Sequence, residues 1–185
     1  RMKPMKPMRS KKSMTLLLML AINLFGFTSL ALAEGWSLFE KKPFAEMDVV
    51  LPTKLPEPKN IKGLLITVGS PLFFGIDVTS IAVGDDNVVR YVMAIHNPSG
   101  TQQIKYEGIR CDSMEYKVFA YVNAEGKWIS NNTDWKPIPR GGYNQYQSTL
   151  GWNGFCVGNS PNRNNTDLMK DLPFTQVPWT TTPLF

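Results

Sequence analysis

A mainly β single-domain protein, built on an antiparallel meander sheet, is the fold class this sequence predicts, with α+β as the alternative. Three observations carry that reading. Short β-rich runs recur between residues 61 and 129, each bounded by a cluster of turn formers. No amphipathic helical repeat of comparable strength competes with them, the best candidate being the short stretch Asn144 to Leu150. The chain has two cysteines, Cys111 and Cys156, and an even count in an oxidising compartment favours one disulfide, with two buried free thiols as the alternative.

In chain order the β-rich runs are Ile61 to Val68, Phe73 to Val83, Val88 to Ile95, Gln102 to Arg110, Tyr116 to Val122 and Lys127 to Ile129. Gly84-Asp85-Asp86-Asn87, Asn97-Pro98-Ser99-Gly100 and Asn123-Ala124-Glu125-Gly126 punctuate them, using residues that tolerate tight or left-handed backbone. If Val83 and Val88 flank the first turn, Ile81 opposes Arg90 and Val78 opposes Met93. If His96 and Thr101 flank the second, Arg90 opposes Glu107 and Tyr91 opposes Tyr106. One face then carries Phe74, Ile76, Val78, Ala82, Val89, Tyr91, Met93, Ile95, Ile104 and Tyr106. That near-continuous apolar surface is the expected core side, and a one-residue slip would turn it outward.

The ends differ from the middle. Glu34 to Asn60 includes Leu51-Pro52-Thr53-Lys54-Leu55-Pro56-Glu57-Pro58, whose prolines forbid a central strand and favour an extended N-terminal arm. Residues 158–185 are rich in Asn, Thr and Pro and read as an irregular or disordered tail. The predicted organisation is therefore a leader over 1–33, a β domain with its arm over 34–157, and the tail.

Charge explains the leader. The chain has 185 residues with 20 Lys+Arg and 15 Asp+Glu, a formal net charge of +5. Six cations (Arg1, Lys3, Lys6, Arg9, Lys11, Lys12) stand in the first twelve positions, and no acidic residue precedes Glu34. Cutting after Ala33 leaves 152 residues with 14 basic and 15 acidic side chains, a net charge of −1. A cationic start, an apolar run from Met14 to Leu32 and the small residues of Ala31-Leu32-Ala33 form the pattern of a secretory signal peptide. Leu16 to Ala33 as a helix would span roughly 27 Å, but Asn23, Gly26, Thr28 and Ser29 dilute it too much for an anchor. A periplasmic protein with no stable membrane insertion after cleavage is expected. With no excess of cations, the remaining domain has no footprint for nucleic acid.

Few chemistries survive inspection. His96 is the only histidine, which removes the usual zinc and serine-triad sets. Phosphate-cradling Gly-rich loops and a G-x-S-x-G elbow are missing. Asp85-Asp86-Asn87 lacks the spaced acidic ligands of a Ca²⁺ loop and reads as a turn. No metal and no cofactor is expected. The candidate ligand-binding residues are Arg90, Tyr91, Tyr106, Glu107 and Arg110. Arg110 offers a guanidinium fork to an anion between Tyr91 and Tyr106, the ordinary alternatives being stacking on a tyrosine or a pair with Glu115. Arg90 with Glu107 reads first as a cross-strand pair that sets register. Asp77 and Glu107 share a face in this register, but roughly 16 Å separates them, too far for a hydrolytic carboxylate pair. Trp128, Trp135, Trp152, Tyr143, Tyr146 and Phe155 form a second candidate, a platform for carbohydrate or peptide, or else the closure of the core.

The string Phe74 to Tyr91, then Ser99-Gly100, Tyr106-Glu107-Gly108-Ile109-Arg110-Cys111 and Gly126-Lys127-Trp128, resembles the CNP1-like family of exported bacterial proteins, over roughly Trp36 to Cys156. The resemblance implies a small secreted protein of Gram-negative bacteria and carries over no catalytic residues. The expected function is accordingly a non-enzymatic binding or envelope-interaction protein, whose partner is an envelope protein or a small ligand. The alternative is a small periplasmic hydrolase using carboxylates and Arg110.

Overall fold

A computed structural model describes residues 43–175 and 179, all in one compact unit. The expected leader, residues 1–33, lies outside the described residues. The architecture is a mainly β antiparallel meander. Strands β1 (Ile61–Leu64), β2 (Phe73–Val83), β3 (Val88–His96), β4 (Gln102–Arg110), β5 (Glu115–Val122) and β6 (Trp128–Ser130) pair in chain order. A two-residue β7 (Lys136–Pro137) pairs with the other end of β5, at Glu115 and Tyr116. Helix α1 (Tyr146–Leu150) runs on into a π-helical turn, Gly151–Phe155. A small hairpin of β8 (Cys156–Val157) and β9 (Ser160–Pro161) and helix α2 (Asn165–Lys170) follow.

The run at Ile61 stops at Leu64 rather than Val68. Beyond it the chain turns to the C-terminal segment: the Leu65 N–H donates to the Pro173 carbonyl, Thr175 N–H to Gly63, and Leu64 bridges Phe174. That pairing covers part of the sheet's exposed edge, which would otherwise present open backbone groups.

Three hairpins share one turn. In Gly84–Val88, Asn97–Thr101 and Asn123–Lys127 the first N–H donates to the fifth carbonyl and the fourth N–H donates back to the first carbonyl. The fourth residue is left-handed each time: Asn87 at φ 61°, Gly100 at 86° and Gly126 at 74°. The first and fifth residues pair across a three-residue loop, one residue shorter than the four-residue loop expected, and this difference corrects the expected register. Arg90 opposes Gly108, Tyr91 opposes Glu107, and Val92 opposes Tyr106. In the first hairpin Ala82 faces Arg90 and Ile76 faces Met93, with a bulge between Asp77 and Ala82. The slip exchanges the faces of β4: Glu107 and Ile109 lie with Tyr91, whereas Ile104 and Tyr106 lie with Arg90.

The two faces bury different things. On one, Phe74, Ile76, Tyr91, Met93 and Ile109 pack against Tyr146, Leu150, Phe155, Leu168 and Leu172 of the C-terminal segment. Cys111 and Cys156 are joined there by a disulfide, with 5.4 Å between their Cα atoms. The segment after Gly158, expected from its composition to be irregular, carries β9 and α2 and delivers Leu168 at 0% exposure and Leu172 to this core. The opposite face carries a smaller cluster of Ile61, Val92, Ala94, Ile104 and Trp179, with Tyr106 and Trp128 beside it. Gly75 admits the Trp179 ring, for a Cβ there would stand 2.5 Å from it.

Candidate functional site

The five residues predicted to form a site divide between the two faces. Arg90, Tyr106 and Arg110 stand on the side crossed by the N-terminal arm. Arg90 does not meet Glu107. Its guanidinium forks onto Asp86, at 2.9 Å from Nη1 to Oδ1 and 2.6 Å from Nη2 to Oδ2. Both side chains are nearly buried, and a bidentate fork is the strong form of this contact. Burial alone pushes the Asp86 carboxyl up, yet the Arg90 hydrogen bonds, the Met47 N–H and the Arg90 charge together hold it down at about 2. Arg110 reaches Asp112 and, at 3.2 Å, Glu115, while its guanidinium lies 3.7 Å from the centre of the Phe44 ring. Glu46 accepts from Lys117 at 2.8 Å and from the Trp135 indole at 2.8 Å. Phe44 and Glu46 thus strap the arm over Arg110, Lys117 and Trp135, and the fork expected to hold an anion is occupied by the chain itself.

Tyr91 and Glu107 stand on the helix side. Glu107 is 0% exposed, and its carboxylate accepts from Tyr91 at 2.9 Å and from Tyr146 at 2.7 Å. Burial raises its pKa, opposed by the hydrogen bond from Tyr146, the charge of Lys105 and the bonds from Tyr91 and Gln147. Burial and the nearby Glu107 charge push both tyrosines well above their usual range, so they remain donors. Tyr146 comes from α1, in a stretch the sequence marks only as a weak helix. A polar cavity of about 190 Å³ adjoins Glu107, between Lys105, Tyr116, Asn131, Thr133, Lys136 and Gln147.

Asp77 belongs to neither group. It pairs with Val92, placing it on the face opposite Glu107, and its Oδ1 caps the bulge by accepting from the Thr79 N–H and hydroxyl. Arg110, Glu107 and Asp77 therefore do not converge. The aromatic platform is likewise dispersed: Trp135 lies under the arm and Trp128 beside Tyr106, while Tyr146 and Phe155 are core, Tyr143 is exposed and Arg140 stacks over Trp152. Among the described residues no group of three His, Cys, Asp or Glu side chains could hold a metal ion.

The larger opening was not marked by any motif. A cleft of about 690 Å³ lies between the end of β1, the following loop to Leu72 and the Asn97–Gly100 turn. Leu64, Leu65, Ile66 and Phe74 line it, with Thr67 and Ser70 as polar points. His96 forms one wall: Phe73 stacks on the imidazole at 4.7 Å and Trp179 meets it edge-on at 4.7 Å. The position before Asn97-Pro98 reads as simple turn placement, so the ring's role needed the fold to bring Phe73 and Trp179 to it. Leu65, Val68 and Phe73, around the same region, are exposed by 53, 86 and 49%.

A disulfide-tied antiparallel sheet with, among the described residues, an apolar cleft and a small polar cavity is the class of protein these features define. The chain belongs to the CNP1-like family, whose profile matches residues 39–173. The match runs past Cys156 and so includes α2. No curated protein and no solved structure matches the chain. Among the described residues no helix is long and apolar enough to cross a membrane.

Proposed function

We propose that this is an exported, non-enzymatic binding protein of the periplasm that takes an apolar small molecule into the cleft beside His96. The cleft carries the reading. Its volume of about 690 Å³ falls in the range of small-molecule sites, which are concave and apolar with a few placed polar groups. The wall of Phe73, His96 and Trp179 suits a flat or aliphatic body, and Thr67, Ser70 and Asn97 supply hydrogen bonds at its margin. Export is supported by the leader pattern of residues 1–33 and is in keeping with the Cys111–Cys156 bridge.

The test is fluorescence titration with the uncharged apolar dye N-phenyl-1-naphthylamine. Saturable binding is expected, weakened on the order of tenfold by Phe73→Asp, with circular dichroism showing that the variant stays folded. A signal that never saturates, or one unchanged by Phe73→Asp, would refute the reading. Export is checked by intact mass of the periplasmic fraction, where loss of residues 1–33 is expected.

A further inference from the structure

No charged side chain lines the cleft beside His96: among the described residues of its walls none is Lys, Arg, Asp or Glu. Its polar side chains share a second property. The Thr67 hydroxyl oxygen accepts from the Asn144 N–H at 3.0 Å, and the Ser70 hydroxyl oxygen accepts from the Leu72 N–H at 3.0 Å. A hydroxyl also has one proton to donate, and among the described residues neither proton has an acceptor. Asn97 repeats the pattern. Its Oδ1 accepts from the Ser99 hydroxyl at 2.8 Å and from the Thr101 N–H at 2.9 Å, which fills both lone pairs and fixes which end of the amide is oxygen. Its Nδ2 keeps two protons with no acceptor among the described residues. His96 contributes ring surface between Phe73 and Trp179, with its Nδ1 3.4 Å from the Asn97 carbonyl oxygen. Thr67, Ser70 and Asn97 thus have oxygens already engaged and protons still to donate.

Resting on the reading of this cleft as a small-molecule site, we propose that its ligand is an uncharged molecule with an apolar body and a carbonyl head, such as a ketone, ester or lactone. Such a head only accepts, so it matches the protons of Thr67, Ser70 and Asn97. An ammonium group brings further protons to a margin that has its own. A carboxylate accepts as well, but taking it out of water with no cation to meet it costs more than neutral donors return. A plain hydrocarbon gains nothing from the three donors. The apolar body has Leu64, Phe74 and the wall of Phe73, His96 and Trp179 to lie against.

Displacement of bound N-phenyl-1-naphthylamine from the full chain at neutral pH tests this, with 2-undecanone, undecanoate and protonated undecylamine as competitors of equal carbon number. The ketone is expected to displace the dye at a concentration at least about tenfold lower than either charged competitor. Ser70→Ala removes one donor and should weaken the ketone about threefold, while the affinity of the dye, which carries no carbonyl, stays the same. Asn97→Asp keeps the oxygen that holds the turn and replaces two protons by a negative charge, so the gap between ketone and undecylamine should narrow at least about threefold. Undecanoate or undecylamine competing as well as the ketone, none of the three displacing a dye that binds saturably, or a ketone indifferent to both variants would each overturn this inference and leave the small-molecule site standing. A dye that never binds saturably sinks the site itself and this inference with it.

Discussion

The two faces of one sheet are held by different physics. On the helix side, interdigitated apolar side chains close over Tyr91 and Ile109, and the disulfide pins the covering segment in place. On the arm side, charges lie over aromatic rings: Arg110 over Phe44, Lys117 over Phe119 and Trp135, and Arg90 over Phe119. Apolar burial scales with area and resists salt, whereas each cation–π contact contributes about 0.5 to 2 kcal/mol according to its desolvation. The helix side should therefore be the rigid half of the molecule. The arm side is a strap held by a few discrete contacts.

The largest expected effect breaks the helix side. Replacing Cys111 and Cys156 by serine opens a loop with a sequence separation of 45, and the chain-entropy argument puts the loss at about 4 kcal/mol. Urea unfolding of the double variant should show it. A loss below about 1 kcal/mol would mean that the apolar contacts of Phe155 and Leu168 hold the C-terminal segment without the bridge. A smaller effect is expected on the arm side. Phe44→Ala removes the ring under Arg110 and its edge-on contact with Trp135 at 5.8 Å, at a cost of about 1 kcal/mol. Limited proteolysis should then cut earlier near residues 43–60 while the sheet survives. Loss of the whole fold in this variant would show that the strap belongs to the core.

Much of the sheet was legible because its signals are local. The bounds of β2 and β4 follow from their β-rich runs and the turns beside them, and the disulfide was expected from an even count of two cysteines. Register was not legible, because it depends on whether Asn87, Gly100 and Gly126 take a left-handed conformation, which lets the loops close over three residues where four were expected. That one-residue difference moved Glu107 from an expected cross-strand pair with Arg90 to a buried carboxylate opposite Tyr91. Tyr106-Glu107-Gly108 looks the same in either register, so no local pattern separates them. The cleft was hidden for a different reason, since Leu64, Phe73, His96 and Trp179 are far apart in sequence and none belongs to a motif. Leu168 and Leu172 sit in a segment whose Asn, Thr and Pro content masks two apolar residues spaced one helical turn apart.

The subtlest difference between the faces is the sign of their response to pH. Asp86, under the arm, has a carboxyl held at about 2 against an ordinary 3.8. It takes up protons more readily when unfolded, so its stabilising contribution is present above the ordinary value and is lost as pH falls towards 2. Glu107, on the helix side, is raised above 4.5, so the folded protein holds its proton longer than the unfolded chain. Its contribution is fully present below that value and declines as pH rises through the folded pKa. Stability should therefore peak in the mildly acidic range, with the acid limb set by Asp86 and the other limb by Glu107. Asp86→Asn should flatten the acid limb alone, and Glu107→Gln the other alone, both read from melting temperature between pH 2 and pH 8. The two limbs separate because the groups lie on opposite faces and share no hydrogen-bond partner, so the double variant should show the two changes added. If Glu107→Gln leaves the upper limb unchanged, the carboxylate is already matched by a cation at neutral pH, and its buried environment differs from the one described.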